Sequence, residues 1–67
     1  MDYSALLKDI REKLLLTQTE LAEKLGVSFA SVNRWENSRT DPTIKAKRKI
    51  RELCLKNKIE MEKYSHE

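Results

Sequence analysis

The only glycine of the chain, Gly26, lies between two short helical patterns. Leu21, Ala22 and Leu25 form an apolar stripe before it, and Val32 and Trp35 form a second stripe after it. A helix that ends on a left-handed residue does so at least cost on glycine. The stretch from Gln18 to Glu36 therefore predicts two helices joined by a tight turn, the second with a polar outer face.

Sixty-seven residues make one domain, near the lower size at which a single core is stable. One Pro, one Gly, few aromatics and 37% charged residues predict a compact all-α bundle of four to five helices. Cys54 has no cysteine partner, and with His66 alone it cannot assemble a metal site, so no cofactor or metal is expected. No apolar run approaches ~18 residues and no signal peptide is evident, so a cytoplasmic protein without a membrane partner is expected. Net charge is only +3, yet Ile44 to Lys58 holds seven basic residues against the single acid Glu52. Such asymmetry suits a polyanionic partner, although a solvated helix surface would look the same.

On a wheel of ~100° per residue, Tyr3, Leu7, Ile10 and Leu14 share one arc of a first helix, capped by Ser4 or Asp2. Thr17 and Glu20 have capping-box spacing and start a second helix at Gln18. Ser28 caps a third helix that runs to Glu36 or Asn37. Asn37 to Pro42 is polar and turn-rich, and a basic helical segment covers about 43–63, capped by Asp41 or Thr43. Ala46, Ile50, Leu53 and Cys54 give it an inward face. Leu55 and Ile59 fall outside that face, so either the helix ends near Asn57 and the chain turns, or they meet a partner.

Val32 and Trp35 lie within about 40° of Ser28 on the third helix and must face the core. Phe29, Ala30, Asn33, Arg34 and Asn37 then cover the opposite arc. Arg can bond guanine O6 and N7 together, Asn can do the same for adenine, and small or apolar residues suit the thymine methyl. Phe29 could instead fold back on the Leu25–Val27 turn, and Arg34 could be a plain surface charge. Gln18 opens the second helix, where free amides and the helix dipole favour phosphate. Its side chain can bond that phosphate, brace the third helix, or simply serve as a good first-turn residue. Asn37 can meet phosphate or act as an ordinary C-cap. Arg11 falls on the buried arc of the first helix and Glu36 near the buried flank of the third. A charge in a small core is costly unless paired, so these two are expected to pair.

From about Leu7 to Leu53 the chain resembles the lambda-repressor-like, Cro/XRE-type helix-turn-helix domains. The matching residues are Arg11, the T-Q-x-x-L-A-x-x-L-G-V run from Thr17 to Val27, Val32, Trp35–Asn37 and Pro42. The resemblance implies a helix-turn-helix at about 18–37 whose third helix enters the major groove. It implies base reading by Ser28, Phe29, Ala30, Asn33 and Arg34. The expected phosphate contacts are Thr17, Gln18 and Asn37, extended to Arg39 and Thr40 in the polar loop. A buried Arg11–Glu36 pair fits the family too. Leu15 and Ser38 depart from it, standing where the family usually has Gly or Asn and Gly. They predict a strained turn or a longer first helix, and no left-handed residue after the third. No break precedes a fifth helix.

Sequence-specific binding of double-stranded DNA, as a transcriptional repressor or activator, is the function these residues favour. Alternatively, the chain is the targeting module of a larger system, an antitoxin or a DNA-modifying enzyme. Leu55, Ile59 and Met61 would then dock a partner, an appended domain or a second copy. A third reading is a protein-interaction domain that has lost DNA binding. Catalysis is not expected, because no nucleophile–base set, paired carboxylates or phosphate-cradling glycine loop is present.

Overall fold

The computed structural model describes residues 1–65, so His66 lies outside the described residues. Four α-helices follow in order: α1 (Tyr3–Leu14), α2 (Gln18–Leu25), α3 (Phe29–Glu36) and α4 (Ile44–Lys56), then a 3-10 turn at Glu62–Tyr64. At eight residues each, α2 and α3 are too short to persist alone. Packing holds them: α3 lies against both α1 and α2, and α2 touches α4. The core takes Leu6, Leu7 and Ile10 from α1, Leu21, Ala22 and Leu25 from α2, and Val32 and Trp35 from α3. Ala46, Ile50 and Cys54 of α4 complete it together with Ile59. Burial pushes the Cys54 thiol pKa up, as expected of a core residue. Among the described residues no helix is long and apolar enough to cross a membrane.

Every helix start is bonded by a side chain. Asp2 caps α1 by accepting from the Ala5 amide, and the Thr17–Glu20 box is complete in both directions. Ser28 accepts from Ser31 N–H and Thr43 from Ala46 N–H. Ser4 has a different task. Its hydroxyl donates to the Glu36 carbonyl at 2.5 Å and ties the start of α1 to the end of α3.

The helix ends share one geometry. Leu15, Gly26, Ser38 and Lys58 all have positive φ, between 55° and 69°. After each, the next amide bonds back across the last turn: Leu16 to Arg11, Val27 to Ala22, Arg39 to Arg34 and Ile59 to Cys54, at 2.8–3.0 Å. This is the Schellman arrangement, and only Gly26 meets it without backbone strain. A Cβ on Gly26 would touch nothing within 4 Å, so conformation rather than space selects glycine there. One expectation is corrected, since Ser38 is left-handed without being glycine. Of the two alternatives at Leu15, the strained turn is the one found: α1 is not lengthened, because Leu15 stops it at φ 57°.

The basic segment does not stay helical to about 63, which is a correction, and of the two readings of its end the turn near Asn57 is found. α4 ends at Lys56, and the left-handed Lys58 swings Ile59 into the core at 8% exposure. Ile59 is thus unavailable to a partner, whereas Leu55 remains 68% exposed and Met61 is half-buried. The tail then packs on α1. Tyr64 accepts from the Asp2 amide at 2.7 Å and donates its hydroxyl to Asp9 at 2.5 Å. That hydrogen bond pushes the Tyr64 pKa up to about 12 and, with the bond from Lys13, holds Asp9 below the usual carboxylate range.

Candidate nucleic-acid interface

Trp35 at 5% exposure and Val32 at 0% set the rotation of α3 about its axis. The other face is open: Phe29 is 50% exposed, and Ser28, Ala30, Arg34 and Asn37 are exposed as well. Phe29 therefore does not fold back into a satellite core. Arg34 makes one long contact among the described residues, 3.5 Å from an Nη to Ser31 Oγ, too long to restrain it. Ser31 was not singled out in the sequence, yet its hydroxyl lies 3.0 Å from Ser28 Oγ and faces Arg34. Its i,i+3 spacing from both residues was the available signal.

Behind this face a hydrogen-bond network fixes α3 to its neighbours. Arg11 donates to Glu36 twice, Nε to Oε2 at 2.7 Å and Nη2 to Oε1 at 2.8 Å, in the two-pronged geometry of the strongest ion pairs. The Glu36 side chain is 2% exposed and that of Arg11 28%. The pairing expected from the wheel is present, and it raises the guanidinium pKa. Gln18 extends the network: its Nε2 donates to Glu36 Oε1 at 3.1 Å, and its Oε1 accepts from Asn33 Nδ2 at 3.2 Å. Asn37 Nδ2 in turn donates to the Asn33 carbonyl at 2.8 Å and to Asn33 Oδ1 at 3.2 Å.

The structure thus separates the expected site residues into two groups. Ser28, Phe29, Ala30 and Arg34 project from α3 into solvent, and Arg39 and Thr40 are exposed in the loop that follows. Gln18, Asn33 and Asn37 form a chain of amides facing one another, with Asn33 half-buried. The Gln18 side chain braces α3 through Glu36 and Asn33, and the Asn37 side-chain amide caps α3. The Thr17 amide and hydroxyl are both engaged in the capping box. Among the described residues the Gln18 and Thr19 amides at the start of α2 have no bond, as the first amides of a helix ordinarily do not.

Two short helices at a tight turn, the second anchored by an aromatic and presenting a polar face, define a DNA-binding helix-turn-helix domain. A family model described as helix-turn-helix matches residues 7–54, most of the chain. The chain belongs to this family, the lambda-repressor-like, Cro/XRE-type helix-turn-helix domains. No curated protein and no solved structure matches it.

Proposed function

We propose that this chain recognises a specific sequence in double-stranded DNA, with α3 in the major groove, and regulates transcription. The observation that carries the proposal is the position of Arg34. It is exposed beside Ala30 and Phe29 on the face turned away from Trp35 and Val32. Arg34 contacts a base edge, and Ser28, Phe29 and Ala30 line the same groove. The start of α2 at Thr17 and Gln18 and the loop from Asn37 through Arg39 and Thr40 rest on the two flanking backbones. Phosphate neutralisation supplies most of the affinity, and base contacts supply the choice of sequence.

Selection from a pool of randomised duplexes tests this. A consensus should emerge whose binding weakens as salt rises; a pool that stays random rejects the reading. A second reading is favoured by one observation. Leu55 lies in an open groove with Met1 and Met61, which suits a partner, an appended domain or a second copy. Sedimentation separates the cases, since a tight dimer favours an autonomous regulator and a monomer a module of something larger.

A further inference from the structure

Adenine is read in the major groove by a group that donates and accepts at once, because N7 accepts and N6 donates. Asn33 is the one amide on the middle of α3 that could do so, and it is held from both sides by neighbouring amides. Its Nδ2 is given to Gln18 and its Oδ1 receives Asn37. Gln18 is committed at both ends, and the Asn37 donor is turned onto the end of α3. The two serine hydroxyls share one hydrogen bond and Ser28 Oγ also accepts from the Ser31 amide, so the pair is held at the start of the helix. The outer groups with no comparably close partner among the described residues are a guanidinium that can only donate, a half-exposed phenyl ring and an exposed methyl.

From this inventory we infer that α3 tells A·T from G·C through the thymine 5-methyl group. Phe29 and Ala30 make the contact, Arg34 takes a neighbouring guanine, and Asn33 is a positioning residue. The inference rests on the proposed DNA reading and names the chemistry that is read. Phe29 opens α3 and Ala30 follows it, so both belong to the helix end that meets base edges in this docking mode. A phenyl ring left in water gains most by burial against another apolar group, and the methyl is the only apolar group in the major groove. Arg34, one turn further along, is matched to the paired acceptors of guanine. The predicted half-site therefore pairs a guanine with one or more adjacent thymines.

Base analogues in the selected duplex test this on the unaltered protein. Deoxyuridine in place of thymidine removes the methyl and keeps the pairing and O4. Each contacted position should lose about fourfold in affinity, the equivalent of one buried methyl-sized group. Replacing adenine by 7-deazaadenine removes the N7 acceptor and should change nothing. In Phe29→Ala the difference between thymine and uracil duplexes should shrink or vanish, and in Asn33→Ala it should persist while overall affinity falls. Equal binding of uracil and thymine duplexes, a loss with 7-deazaadenine, or a consensus lacking thymine beside guanine would overturn the inference while leaving sequence-specific binding intact. A pool from which nothing is enriched removes the underlying reading itself.

Discussion

Breaking the Arg11–Glu36 pair from its two sides should cost different amounts. In Glu36→Ala the carboxylate leaves, and with it the acceptor of three hydrogen bonds, two from Arg11 and one from Gln18. The stranded guanidinium has 28% of its side chain in water and a carbonyl, that of Leu16, 3.5 Å from Nη1. It can rehydrate in part, so the loss sits at the low end for a broken buried pair, ~3 kcal/mol. In Arg11→Ala the stranded group is a carboxylate only 2% exposed, with one amide donor left. That loss sits at the high end, ~5 kcal/mol. A domain of 67 residues has roughly 3–10 kcal/mol in total, so either variant is marginal. Urea unfolding followed by far-UV circular dichroism measures both, provided the slope with denaturant is unchanged. Substituting Met for Arg11 and Leu for Glu36 together should recover most of the stability, because no charge is then left buried. The reasoning fails if Glu36→Ala proves the costlier change, or if either single variant loses less than about 1 kcal/mol.

Other changes follow from the same contacts. Leu15→Gly should stabilise the domain by ~0.5–1 kcal/mol, since it relieves a left-handed leucine that is 87% exposed and sacrifices no core contact. Thermal unfolding measures this, and a lower melting temperature would count against strain at that turn. Tyr64→Phe probes the tail: the folded-state pKa lies above the ordinary 10.0, so the tyrosine stabilises fully below pH 10 and less as pH rises towards 12. Asp9 has the opposite sign, contributing in the neutral range and losing its contribution as acid titrates its lowered pKa. The stability gap between wild type and Tyr64→Phe should therefore be widest between these limits in a urea series across pH. Arg34→Ala should cost ~1–3 kcal/mol on the selected duplex and relax preference at one base pair. Gln18→Ala should weaken all duplexes alike, and competition with random duplex separates the two.

Features governed by nearby residues were legible in the sequence. Thr17 with Glu20, Gly26, and the Val32–Trp35 stripe each set a local geometry, and each is found as read. Arg11 and Glu36 could be paired across 25 residues because two charges on buried arcs had few other solutions. What depends on distant packing was not legible. Leu6 is fully buried though it lies off the expected arc, because α1 is covered from two sides, by α3 and by the carboxy-terminal turn. Ser38 and Lys58 adopt a backbone that glycine would have announced. Ile59 shows why: its burial holds the chain in that shape after α4 ends. For Gln18, Asn33 and Asn37 the ambiguity was chemical. An amide bonds base, phosphate or another amide equally well, and only coordinates show that these three face one another.

The outward rotation of α3 underlies the whole account, and titrating the isotopically labelled chain with its selected duplex tests it most directly. Amide shift changes should concentrate at Gln18, from Ser28 to Arg34, and from Asn37 to Thr40, with the groove around Leu55 and Met61 unaffected. Changes centred on Leu55 and Met61, with α3 silent, would contradict it.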